Sequence, residues 1–293
     1  MMRSTIVKLT IVAFVAAFAV QTAFAGEAAP QEGQPAPQQQ QMINPVQAFA
    51  LMSREAEGGN AAAMLTLGTM YERGIGIPRN YVKAFECYRK AADAGLAEGF
   101  YNVGVAYEVG IGNSGDPVQA FANFEKAAER GLAQGLYKLA SLYFTGYGTD
   151  KNEAWGVELL NRAAAAGHMA AANDLGVIYF EGSFGFEKDP NKAYEMFLRA
   201  AELGNAEAMK NIAVFYRDGI GRPADKVEEL KWYALSRAAG FPPQIINAPI
   251  DALRNELTED QMGEAERWVQ AWITEFQKKQ QAAAAAQQQQ PQQ

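Results

Sequence analysis

The chain holds one cysteine and one histidine in 293 residues. A single thiol excludes an internal disulfide framework, and with one histidine beside it there is no ligand set for a structural zinc site. Any catalytic pair built on histidine has only His168 to use. Positive charge is also in short supply. Lys and Arg number 26 against 33 Asp and Glu, a net charge of −7, and an acidic surface repels phosphate backbones. Nucleic acid is disfavoured as a ligand on that ground. No Ser-x-x-Lys occurs anywhere, which removes one familiar acylating serine. Apolar residues are plentiful at 49%, enough to bury a core and to exclude wholesale disorder.

The two ends differ from the middle. Residues 1–25 read as a signal peptide: Arg3 and Lys8 precede an apolar run from Leu9 to Val20, and Ala23-Phe24-Ala25 offers small residues at a cleavage site. The run is short for a bilayer span. Cleavage before Gly26 takes the net charge from −7 to −9, and export to an oxidising compartment suits a chain whose one thiol cannot mispair internally. Residues 26–43 are rich in Pro and Gln and read as a linker. Residues 278–293, with five alanines followed by glutamines, read as a fraying helix end and a disordered tail.

Between the ends the sequence repeats itself. Gly59, Gly95, Gly131, Gly167, Gly204 and Gly240 are spaced by 36, 36, 36, 37 and 36 residues. Tyr71, Tyr107, Tyr143, Tyr179 and Tyr216 keep the same register, each followed three residues later by a glycine. Each copy divides into two helices, A and B. Helix A of the first copy carries Ala63, Leu67, Gly68 and Tyr71 at helical spacing and stops at Gly74. Ile75, Ile111, Tyr147 and Ile220, in the turns, are expected to tuck inward. Helix B opens at Asn44, Asn80, Asp116, Asn152, Asp189 or Asp225, side chains suited to accept from free N–H groups. The expected fold is an all-α, α/α solenoid. It comprises a capping helix at 44–59, repeats at 60–95, 96–131, 132–167, 168–204 and 205–240, and capping helices at 241–277. In the last segment a short helix is expected at 250–257, and Thr258 to Gln261 fits a capping box that opens a helix through about Gln277.

The pattern Ala-x-x-x-Leu-Gly-x-x-Tyr-x-x-Gly-x-Gly, followed by Lys-Ala and then Lys-Ala-Ala-x-x-Gly, is carried by Ala63 to Gly76 and Lys83 to Gly95. It resembles the Sel-one-like repeat family, relatives of the tetratricopeptide repeats. The resemblance spans Asn44 to Gly240. It implies a non-enzymatic interaction scaffold without cofactor or metal, whose partner is a protein or peptide. Other relatives leave two alternatives open, a β-lactam-binding or hydrolysing enzyme and a secreted effector that binds a host protein. The paired cysteines of the disulfide-rich relatives are missing here.

By analogy with tetratricopeptide repeats, helix A lines a concave groove, periplasmic or secreted in setting. One row of candidate contacts reads Leu65, Tyr101, Tyr137, Asn173, Lys210. A second contributes Val105, Ser141 and Val177, and a third Glu72, Glu108, Phe144, Phe180 and Arg217. Aromatics flanked by charge are suited to grip a peptide. His168 reads as a turn residue and Cys87 as a half-buried filler, with a redox role for the thiol left open. Neither the partner nor the oligomeric state is legible.

Overall fold

The computed structural model describes residues 44–289. The signal peptide read at 1–25, the linker at 26–43 and the last four residues of the tail lie outside the described residues. Within them the chain forms thirteen helices and no strand: α1 Pro45–Glu57, α2 Ala61–Arg73, α3 Tyr81–Asp93, α4 Ala97–Val109, α5 Pro117–Glu129, α6 Ala133–Thr145, α7 Glu153–Ala165, α8 Met169–Glu181, α9 Pro190–Glu202, α10 Ala206–Asp218, α11 Lys226–Ala238, α12 Pro243–Glu256 and α13 Glu259–Gln289. Helices α2, α4, α6, α8 and α10 are the A helices of five repeats, and each packs on the B helix that follows it and on the one that precedes it. The result is an α/α solenoid.

Local chemistry sets the boundaries. All six expected Asx residues cap their B helices through the side chain: Asn44 accepts from Val46 N at 2.8 Å, Asp116 from Val118 N at 2.9 Å and Asp225 from Val227 N at 2.8 Å, while Asn80, Asn152 and Asp189 act alike. Each A helix ends on a left-handed glycine, as at Gly74 with φ of 74°, where a β-carbon would be strained. Gly76 is needed for a second reason. A β-carbon there would collide with the Pro45 carbonyl of the preceding B helix, so the turn seats directly on the neighbouring repeat.

Helix A meets helix B by placing an aromatic ring over a missing side chain. Tyr88 lies on Gly68, Phe124 on Gly104 and Phe197 on Gly176. The third repeat reverses the arrangement: Ala140 and Leu160 occupy the usual positions, and Phe144 of the A helix covers Gly156 of the B helix. Buried apolar residues form one continuous core from the third repeat to the C-terminal cap, with smaller clusters in the first two repeats. The cap is sealed by indoles. Trp232 contacts Trp268 and Trp272 of α13, both at 5.2 Å between ring centres. Lys231, almost wholly buried, is held by Glu228 at 2.8 Å and by Glu264 of α13 at 2.7 Å. Two carboxylates offset the cost of burying that ammonium.

Three expectations are corrected. The short helix expected at 250–257 begins at Pro243 and carries Pro249 inside it. A proline in the first turn costs nothing there, and the interior one removes a single helical hydrogen bond. Helix α13 does not end near Gln277 but runs through Gln289, across an alanine run with the highest helix propensity of any residue. Tyr147 does not tuck inward. It is 36% exposed, and its hydroxyl donates to the Glu108 carbonyl of the preceding repeat at 3.3 Å. The capping box does form, with Gln261 N donating to Thr258 Oγ1 at 3.3 Å and Thr258 N to Gln261 Oε1 at 3.0 Å.

A β-carbon on Gly104 would sit 2.9 Å from the Phe124 ring, and Phe124 is fully buried. Gly104→Val is therefore expected to destabilise by about 1–3 kcal/mol, the cost of overpacking. Gly263→Ala, in α13, meets only the flexible end of Arg267 and is expected to stabilise by up to about 1 kcal/mol. Thermal melts of the two variants check this, and shifts of the same sign would contradict the packing scheme.

Candidate functional site

The A helices lie side by side on one flank of the stack, joined by polar contacts that cross from repeat to repeat. Lys138 pairs with Glu108 at 2.9 Å, linking the third repeat to the second. The Tyr137 hydroxyl donates to Asp174 Oδ2 at 3.0 Å, linking the third to the fourth. Asn211 Nδ2 donates to Asn173 Oδ1 at 3.2 Å, linking the fourth to the fifth. Side chains two residues before the Leu/Gly pair thus meet side chains one residue before it on the adjacent helix, or, for Glu108, a position further along. These rungs tie the A helices of the second to fifth repeats to one another.

The proposed contacts divide between packing and exposure. Leu65 packs in the small core of the first repeats, and Glu72 accepts a hydrogen bond from Tyr88. Tyr101 and Val105 lie against Phe124, the ring centres of Tyr101 and Phe124 being 5.6 Å apart. Asn173 is 5% exposed and spent in its rung. Val177 is half-buried against the main core. Ser141 is open to solvent. Lys210 lies over the Phe241 ring, and Arg217 is paired with Asp218 at 2.7 Å while also donating to the Tyr233 hydroxyl. Phe180 remains 40% exposed, tilted on Phe215 at 5.5 Å.

Several residues were missed from the sequence. The inserted residue of the fourth repeat is Phe184. It is the one non-glycine with positive φ among the described residues, at 55°, and that conformation costs a side-chain-bearing residue roughly 1–2 kcal/mol. Its ring is 42% exposed and rests on Phe144 at 4.8 Å. Asp174 and Lys138 lie one residue off the rows chosen by analogy, and the same one-residue step would have found them. In the fifth repeat Glu229 replaces the small residue of the other copies. It is buried, burial holds its carboxyl above the ordinary range, and the nearby Arg217 charge works the other way.

Electrostatics concentrate at the junction of repeats three and four. Burial, reinforced by the Asp174 charge, pushes the Tyr137 phenol up to about 12. Asp174 is itself raised, by burial first and by Glu207 in addition, against the hydrogen bond from Tyr137. Tyr137 stacks on His168, their ring centres 4.3 Å apart. His168 is the helix cap: its Nδ1 accepts from Ala171 N at 3.2 Å, where Asn60 and Asn205 do the same in the first and fifth repeats. Cys87 is half-buried, and burial raises its thiol, which suppresses the reactive thiolate. Among the described residues no three metal-binding side chains converge, and no helix is long and apolar enough to cross a membrane.

Repeated helix pairs with a ladder of cross-repeat contacts define a tetratricopeptide-like solenoid. The chain belongs to the Sel1 repeat family, which matches it at residues 61–96, 97–132, 133–168, 170–205 and 206–241. Among solved structures it is similar to a Sel1 repeat protein from Oxalobacter formigenes, at 35% identity and a TM-score of 0.59, over 68% of this chain and 81% of that one. It is also similar to c5321, a protective antigen of uropathogenic Escherichia coli that displays an SLR fold. That match has 25% identity and a TM-score of 0.41, over 85% of this chain and 68% of that one. A third is the immunity protein Pa5087 from Pseudomonas aeruginosa, with 22% identity and a TM-score of 0.48, over 65% of this chain and 73% of that one. No match was found among curated proteins. The Sel1 solenoid typically mediates protein–protein interaction and is generally a non-enzymatic scaffold.

A capping nitrogen must be unprotonated to accept, and burial lowers the His168 pKa from its ordinary value of about 6.5. The unfolded chain then binds a proton that the folded chain refuses. The contribution is complete above about 6.5 and is lost as pH falls toward the folded pKa. His168→Asn is expected to keep stability near neutral pH and to flatten its fall below 6.5. His168→Ala should lose about 1 kcal/mol at neutral pH. Denaturant melts at a series of pH values check both, and an unchanged slope in His168→Asn would refute the assignment.

Proposed function

We propose that the protein is an exported, non-enzymatic scaffold of the bacterial envelope that holds a partner protein or peptide on its A-helix face. The observation that carries this reading is a pair of half-exposed rings in the fourth repeat, Phe180 on α8, tilted on Phe215, and Phe184 in the turn that follows it, resting on Phe144 of the neighbouring A helix. Exposed aromatics on a rigid, regularly spaced support bury large area at little entropic cost. The polar rungs around them fix the spacing of adjacent helices, so a ligand meets a preformed surface. By analogy with tetratricopeptide repeats, that surface is the concave side of the solenoid. Export rests on the leader read at residues 1–25.

Two measurements test the reading. Crosslinking capture from native envelopes is expected to lose the partner with Phe180→Ala, at a cost of about 2 kcal/mol or more if the ring is a hot spot. Lys126→Ala, on the outer B-helix surface, should leave capture unchanged, and helicity should be normal in both. Normal folding with undiminished capture in Phe180→Ala would move the site to another surface. For export, N-terminal sequencing of the protein recovered outside the cytoplasm should begin at Gly26, and an intact Met1 would overturn it.

A further inference from the structure

The carboxylates of the A-helix face are not equally compensated. Glu108 is answered by Lys138 and Asp218 by Arg217, each through a close ion pair. Asp174 is held only by neutral donors, Tyr137 and Asn173, and Glu207 adds a second negative charge to the same neighbourhood. Among the described residues no lysine or arginine is ion-paired with either. A partly buried carboxylate facing another without a cation is a focus of negative potential, and the protein as a whole is acidic at −7.

The same inter-repeat junction carries an apolar focus at its other end. Tyr137, which meets Asp174, and Phe144, which meets Phe184, lie on one side of α6, seven residues apart. That separation is about 10 Å along the helix axis, the span of roughly three residues in an extended chain. Phe184 is kept in a left-handed conformation that glycine would adopt freely, with its ring half out in solvent. Strain retained to present an exposed ring directs attention to binding rather than to packing.

We propose that this junction takes an extended peptide segment in which a lysine or arginine stands about three residues from a bulky apolar side chain. The cation seats at Asp174 and Glu207, and the apolar side chain lies against Phe184 and Phe144. The proposal rests on the A-helix face being the interaction surface and adds the chemistry of what it recognises. Charge complementarity selects the basic residue, and the 10 Å offset selects the spacing.

The test is a random decapeptide library displayed on phage and selected on the immobilised protein. Enriched peptides are expected to share a Lys or Arg two to four positions from Leu, Met, Phe or Trp. For a synthetic copy of one such peptide, Glu207→Gln, Asp174→Asn and Phe184→Gly are each expected to weaken binding about tenfold, in line with loss of one charge-assisted hydrogen bond or one ring contact. Glu207 is exposed, and glycine is the favoured residue at the Phe184 backbone, so neither variant loses binding by unfolding. Phe184→Gly should melt no lower than the parent. Acidic or uncharged enriched peptides that still depend on Phe184 would overturn the basic anchor while leaving the face as the binding surface. Enriched peptides indifferent to Phe184, Phe180 and Asp174 would overturn the face as well. No enrichment at all would overturn recognition of a short extended segment.

Discussion

A two-helix repeat cannot bury its own apolar side, and everything else in this molecule follows from how neighbouring helices are brought close enough to do so. The device is a ring laid over an absent side chain: Tyr88 on Gly68, Phe124 on Gly104 and Phe197 on Gly176. Each such contact removes a large aromatic area from water and fixes the separation between helices A and B. The third repeat reaches the same closeness the other way round, with Phe144 on Gly156. That reversal changes the exterior. The row that carries Glu72 and Glu108 in the first two repeats becomes aromatic at Phe144 and Phe180, and the inserted Phe184 extends it.

Packing and recognition are therefore linked in the middle of the solenoid. The rungs Glu108–Lys138, Tyr137–Asp174 and Asn173–Asn211 set the register between A helices, and register decides which side chains lie next to one another on the face. The ends play a different part. Trp232 against Trp268 and Trp272, with Lys231 between two carboxylates, closes the core that the last repeat would otherwise leave open. A solenoid sealed at that end can keep its middle repeats rigid while exposing their rings.

Periodicity made most of the fold legible. The glycine spacing divides the chain into repeats, and the Asx residues mark the start of each B helix because a capping side chain acts locally. What was not legible depended on contacts beyond one helix. Tyr147 reads as an inward residue of its own turn, yet its partner is a carbonyl of the preceding repeat. The helix expected at 250–257 starts earlier, at Pro243, with Ile246 and Ile250 buried on either side of Pro249 inside it. At the candidate face the rows chosen by analogy include residues absorbed into packing, such as Leu65 and Asn173. They miss Asp174, whose significance lies in Tyr137 approaching from another repeat. Phe184 announced itself only as the residue that lengthens one interval to 37, and its conformation is invisible without the backbone.

The central claim is that partners engage the A-helix face of the middle repeats. The most direct test places a photo-crosslinking phenylalanine analogue at Phe180 in one protein and at Arg199, on the outer surface of α9, in another, and exposes each to light in its native cell. The account predicts a discrete crosslinked species from position 180 and none from position 199. Crosslinking from position 199 alone would contradict it.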